Sequence, residues 1–255
     1  MSEMNFEVQL DGLKARIVPM ERLVTALVGS VPKPIHYHSG KEHYGVRYAK
    51  PSVLHFCLLK AIRAVSALNA MVALARGGYS QEICVLVRTM VECTTHIEYV
   101  LNAIDDEGVL RPEVAKYVRD YFADYARNSS ADFKRAQVQQ RVVHKDLGET
   151  LDSVAEQYGP VEGRKPAEAA YTDIYLVYSN YVHAKYPEVM DLYGGKPGRF
   201  HLDGMRGTPK DGENFAIIDT FIDTAAISLK MIVSKLRLHS VFEPDAALRI
   251  WFRSS

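Results

Sequence analysis

The sequence is poor in cysteine, has a single tryptophan and carries no surplus charge of either sign. Its three cysteines, Cys57, Cys84 and Cys93, all sit in apolar stretches of helical spacing. Cys84 and Cys93 are nine residues apart and fall on opposite sides of one helix, so they do not pair. Three thiols without a disulfide framework point to a reducing compartment. Basic and acidic residues number 31 each, so the formal net charge is zero. A balanced chain does not grip nucleic acid along its whole surface, which leaves that role to local basic patches. The opening stretch MSEMNFEVQLDG is acidic and has no apolar h-region, so no secretion signal is expected in it. No apolar run approaches the roughly 18 residues that a membrane span needs. The expectation is a cytoplasmic protein with no membrane partner. Strand alternation and internal repeats are missing as well, which turns attention to helices.

What the chain does have is helical periodicity. Its 255 residues are 47% hydrophobic, enough for a substantial core in one or two domains. Residues 12 to 28 read as a short amphipathic helix, kinked or split at Pro19. Residues 31 to 50 read as a loop rich in histidine and tyrosine. In it His36 and His38 share a side if the piece is extended, and His43 follows five residues later. Without a carboxylate or cysteine at a familiar spacing, these imidazoles are read as surface residues or part of a flap, and no metal is expected. A helix from Pro51 to Arg76 carries Leu54, Leu58, Ile62, Val65, Leu68 and Met71. Gly77 and Gly78 end it, and the next helix follows at once, which predicts an antiparallel hairpin.

That next stretch, Tyr79 to Ile104, organises the rest. Ser80 reads as its N-cap and Glu82 as a first-turn charge that suits the helix dipole. Ile83, Val87, Met90, Val91, Ile97 and Leu101 form the buried stripe. Arg88, Glu92 and His96 lie four apart and stack along one face, bordered by Cys84 and Thr95. A third helix runs from Pro112 to about Ser130 and is read as either broken at Asn128-Ser129-Ser130 or continued toward Leu147. Lys134, Arg135, Arg141 and Lys145 in that continuation are read as a solvated face. Gly159, Pro160, Gly163 and Pro166 make a linker. The helix from Pro166 to about Tyr186 has a tyrosine-rich side at Tyr175, Tyr178 and Tyr181, with Ser179 and His183 four apart on one face. Residues 193 to 214 hold six glycines and several cations without periodicity, the mark of a functional flap. A last long helix covers Asn214 to about His239, and the tail with Leu248, Ile250, Trp251 and Phe252 is expected to dock on the domain. The architecture expected is an all-α helical bundle of five to seven helices with long connecting loops. Residues 1–50 would form an N-terminal helix and loop, 51–239 the bundle and 240–255 a docking tail.

A guanidinium on a largely apolar helix needs a partner, because an unpaired buried charge is costly. Glu92, one turn on from Arg88, is the obvious one, and His183 completes the group if the two helices pack side by side. The plain alternative is a structural polar knot that fixes helix register. Glu92 with His96 offers two ligands to a metal, short of the three or more that a site normally has, so no cofactor is expected.

The Arg88-x3-Glu92 helix followed by the Tyr178-Ser179-x3-His183 helix resembles an uncharacterised all-helical bacterial family. It also looks distantly like the HEPN group of helical ribonucleases and nucleotide-binding domains. The resemblance spans about Gly77 to Tyr186. Neutral charge and the absence of a complete catalytic motif favour a self-associating binding or regulatory protein whose Arg88, Glu92 and His183 hold the core or an anionic or nucleotide ligand, with Ser179, Tyr178 and His96 lining it. The resemblance implies as alternative a metal-independent endoribonuclease of a stress or phage-defence system, in which His183 moves protons and Arg88 steadies phosphorane charge. In HEPN nucleases arginine and histidine share one helix four to six residues apart. Here Arg88 and His96 are eight apart, and Asn180-x2-His183 has no arginine.

Overall fold

A computed structural model describes residues 3–39, 43–123, 177–193 and 200–253 of the protein. The fold is predominantly helical, as the periodicity predicts. In chain order come α1 (Glu3–Ser30), a β-hairpin of β1 (Ile35–Ser39) and β2 (His43–Arg47), α2 (Val53–Gly77), α3 (Ser80–Asn102) and α4 (Pro112–Ala123). A helical segment at 177–182 precedes α5 (Tyr186–Met190), α6 (Lys210–Lys235), a 3₁₀ turn (His239–Val241) and α7 (Ala246–Arg253). The proposed continuation past Ala123, its basic cluster, the linker near Pro160 and the helix start at Pro166 lie outside the described residues.

Four long helices make the core. α2 packs against α1, α3 and α6, and α6 likewise touches α1, α2 and α3. Side-chain pairs fix the directions. Arg76, near the end of α2, meets Glu7 and Asp11 near the start of α1, while Asn69 reaches Glu21 further on. These two helices are therefore antiparallel. Ser80 meets Asn214, and Glu98 meets Ser228, so α3 and α6 run parallel. α2 thus runs against its three neighbours.

α1 is one continuous helix with Pro19 inside it, where the sequence predicts a kink or split in a shorter helix. Packing explains the difference. Phe6, Leu10, Leu13, Ile17, Met20, Leu23 and Leu27 are all buried on one stripe. At about 1.5–3 kcal/mol for each fully buried side chain, the stripe outweighs the roughly 3 kcal/mol that an interior proline costs.

α2 and α3 form the expected hairpin. Gly78 adopts φ 75°, and its N–H and that of Tyr79 donate to the carbonyls of Ala75 and Leu74, both at 3.0 Å. α2 begins at Val53, with Ser52 at its N-cap position but no side-chain cap bond, rather than at Pro51. It is 25 residues long and apolar enough to cross a membrane by length and composition, contrary to the reading of the sequence. Here, however, it is the central helix, with Phe56, Leu58, Leu68 and Met71 fully covered by its neighbours. Ser80 is the first residue of α3 and not its cap. Its hydroxyl accepts a bond from Asn214 Nδ2 at 3.0 Å, because the start of α6 crosses it there.

The histidine-rich loop is a two-stranded antiparallel hairpin, where no strand was expected. His36 pairs with Val46, His38 with Tyr44 and Ser39 with His43. The two-residue alternation keeps positions 36 and 38 on one face and puts position 43 on the other. The tail docks as expected: α7 lies against α1 with Leu248 buried, and Lys230 Nζ of α6 sits 4.6 Å from the Trp251 ring.

Candidate functional site

The face of α3 that carries Arg88 is covered by the chain from 177 to 193. Three contacts show that this segment runs antiparallel to α3. Ser179 meets Arg88, Tyr181 lies at Cys84, and Gln81 Nε2 donates to the Glu188 carbonyl at 2.6 Å. The segment is also tied to α6. Tyr178 meets Phe221 edge-on at 6.0 Å, and the Tyr181 hydroxyl donates to Asp191 at 3.2 Å. Lys210 then holds Asp191 at 3.6 Å and Glu213 at 2.7 Å.

At the middle of this seam Arg88 Nη1 donates to Glu92 Oε2 at 3.0 Å, and its Nε donates to Ser179 Oγ at 3.1 Å. The Arg88 side chain is 12% exposed and that of Glu92 39%. The guanidinium is thus held inside the seam while the carboxylate stands at its mouth. A bond to a charged donor in such a place is worth about 1.5–3 kcal/mol, more than an open surface pair.

Arg88 and Glu92 therefore meet as four-residue spacing predicts, and Ser179 joins them. Tyr178 flanks them, and burial with the neighbouring Cys84 pushes its phenol up to about 12. His96 lies two turns along α3, buried, with its ring 5.7 Å from the edge-on Tyr117 ring. Tyr117 packs in turn against Phe56 and Tyr99. His183 is not brought in. It is exposed, just past the 177–182 helix and before Ala184 at φ 47°, and makes no hydrogen bond or ion pair to Arg88 or Glu92. Its N–H keeps the helical bond to the Ser179 carbonyl at 3.1 Å, but its side chain stays on the exposed side.

Gln81 and Asp191 take part without having been singled out. Gln81 was within reach of the pattern, since it lies seven residues before Arg88 and so on the same helix face. Asp191 had no such signal. The thiols are not available for chemistry: burial pushes Cys57 and Cys84 up to about 12 and raises Cys93 as well. Among the described residues no group of three or more histidine, cysteine or acidic side chains is placed to hold a metal ion.

Fold and seam together define an all-helical bundle protein with a half-covered guanidinium between two parts of the chain. More particularly, the chain belongs to DUF5677, a family of unknown function whose pattern matches residues 54–199, more than half of its length. That range takes in both Arg88 and Ser179. No curated protein and no solved structure matches the chain.

Proposed function

We propose that this is a binding or regulatory protein that takes an anionic group at Arg88. One observation carries the reading: a guanidinium 12% exposed is gripped from two elements 91 residues apart in sequence, with its carboxylate partner the more open of the two. The arginine is preorganised, and Glu92 is the group that an incoming phosphate or carboxylate would displace. Arginine offers five N–H donors in a planar fork, which suits a two-oxygen anion better than a lone hydroxyl does. Ser179 would then share the anion, with Tyr178 as the apolar wall beside it.

The endoribonuclease reading has less support. It needs an imidazole beside Arg88, and the exposed His183 makes no bond to the cluster among the described residues. Self-association and a HEPN-like ancestry belong to this proposal too, and rest on the residue pattern alone.

The test uses inorganic phosphate as the probe and thermal unfolding as the readout. Wild type should be stabilised by phosphate. Glu92→Gln should be stabilised more, because the competing charge is gone while the hydrogen-bonding shape stays. Arg88→Lys should respond weakly and Arg88→Ala not at all. An Arg88→Ala protein that responds as wild type does would sink the reading and leave Arg88 as a structural pin.

A further inference from the structure

Beside the Arg88 seam, on the side of α2, cations outnumber carboxylates. Phe56 of α2 and His96 of α3 both meet the Tyr117 ring edge-on, at 5.6 and 5.7 Å, so these two positions stand level across the hairpin. The two helices run in opposite directions from the Gly78 turn. One helical turn toward Gly78, Lys60 therefore stands level with Glu92, and one turn further Ala64 stands level with Arg88. Arg63 is the residue before Ala64. The buried Cys93 thiol feels Lys60 and Arg63 from α2 and Glu92 from its own helix, so the three charges surround one place.

Lys60 differs from other cations that make no ion pair among the described residues. Lys33, Lys50 and Arg119 are exposed, whereas Lys60 is half-buried, its ammonium 5.1 Å from the centre of the Tyr121 ring and 5.7 Å from that of Phe56. Aromatic faces steady a cation without neutralising it. Arg63 is exposed at the rim and also makes no ion pair among the described residues. Glu92 is thus one carboxylate set against three cations, and its ion pair is with Arg88, at 3.0 Å.

We infer that Lys60 and Arg63 act with Arg88 on one doubly charged phosphoryl group, that of a phosphate monoester, in preference to a carboxylate. A carboxylate that displaced Glu92 would replace one charge by one charge and leave two cations unanswered. A phosphate monoester carries about −1.5 to −2 at neutral pH and has three strong acceptor oxygens. Those oxygens can take the guanidinium fork of Arg88 and the point charge of Lys60 together, with Arg63 on the open side. Glu92, 39% exposed, has solvent into which it can swing as the phosphate enters. The Tyr117 and Tyr121 rings border the same place and offer an apolar bed to the organic part of the ester. Both cations of α2 rest on the reading of Arg88 as an anion site, and the variants below separate the two.

Isothermal titration calorimetry of the full chain at about pH 8 compares phenyl phosphate with benzoate, which share a ring and differ in the charge of the anion. Wild type should bind phenyl phosphate roughly tenfold more tightly than benzoate, the worth of one further charged contact. Lys60→Gln/Arg63→Gln should lose that preference and bind benzoate as wild type does. Arg88→Ala should bind neither. Arg63→Gln alone, a change at an exposed position, should keep the wild-type melting curve and lose roughly threefold of the preference, as an exposed charge contributes. It decides the matter if the double variant does not fold. Equal affinities of wild type for the two probes, or an unchanged preference in the charge variants, would overturn the inference and leave Arg88 as an anion site. Wild-type affinities retained by Arg88→Ala, or no binding of either probe by wild type, would overturn the anion reading and this site with it.

Discussion

The two ends of the α3–α6 contact are held by different chemistry. At the start of α3 the bond between the two helices is neutral and close. Ser80 and Asn214 are hydrogen-bonded and almost fully buried, and the loop before α6 lies backbone against backbone on the α2–α3 turn, with Met205 N–H donating to the Gly78 carbonyl at 2.8 Å. At the far end a carboxyl does the work. Ser228 Oγ donates to Glu98 Oε1 at 3.1 Å, and burial raises the Glu98 carboxyl above its ordinary value, with the serine bond opposing. At the first end Gly78 and Gly204 leave no space for an added Cβ, and the Ser80–Asn214 bond does not depend on pH. The second responds to protons. The Arg88 seam lies between them, which suggests that the rigid end sets the fold and the softer half carries whatever must adjust.

The sharpest way to break this contrast is at glycine. Gly204 sits at φ 96°, and a Cβ there would lie 1.9 Å from the Gly77 carbonyl oxygen. The obstacle is backbone on both sides, so nothing can swing away. Gly204→Ala should cost about 3 kcal/mol, from left-handed strain and a clash that the turn must relieve by moving. Denaturant unfolding measures it, and a loss under about 1 kcal/mol would show that the turn end is softer than described. Next in size is Asn214→Ala. It removes a buried donor and leaves Ser80 without it, an expected loss of about 2 kcal/mol.

Much of this was legible in the chain. Periodicity predicts the α2–α3 hairpin because Gly77 and Gly78 interrupt two long apolar stripes. The i,i+4 rule brings Arg88 to Glu92, since four residues make about one helical turn whatever surrounds them. Where the pattern expected His183 at Arg88, Ser179 from the same segment is the residue that reaches it. The failures are tertiary. Pro19 reads as a kink or a break, and the local rule cannot see the seven buried side chains that keep α1 one continuous helix. Ser80 reads as a cap because its buried partner Asn214 is 134 residues away. The hairpin at β1 and β2 was missed because its strands are five residues each and nearly unalternating. His183 was placed in the seam on helical spacing; it keeps that spacing, with its N–H bonded to the Ser179 carbonyl at 3.1 Å, yet its side chain is exposed.

A smaller expected effect tests the middle of the contact. Ser179→Ala removes one bond from Arg88 Nε and leaves the Glu92 pair. About 1.5 kcal/mol should be lost, the low end for a bond to a charged donor. If the seam is the adjustable part, protection of the Arg88 stretch from hydrogen exchange should fall while that of the Gly78 turn stays as in wild type. Equal loss of protection at both places would mean that the seam and the turn open as one unit.

Glu98→Gln gives the smallest change and the most direct test of the far end, because its sign depends on pH. Glu98 titrates above its ordinary value of 4.5 in the folded protein, so the fold favours the protonated acid. Below that ordinary value both folded and unfolded carboxyls are protonated and no penalty exists. As pH rises through 4.5 the unfolded carboxyl ionises first, and folding loses stability until the native carboxyl has ionised too. Glutamine never ionises, and its amide can still accept the Ser228 bond. The variant should therefore match wild type in acid, become the more stable of the two as pH rises past 4.5, and hold a constant lead once the native carboxyl has ionised. Asn214→Ala, by contrast, should cost the same at every pH, since neither of its groups titrates. Thermal unfolding of both variants across the acid range separates the two ends: a pH-independent offset for Glu98→Gln would mean that the carboxyl is solvated in the fold and that the contrast between the ends is steric only.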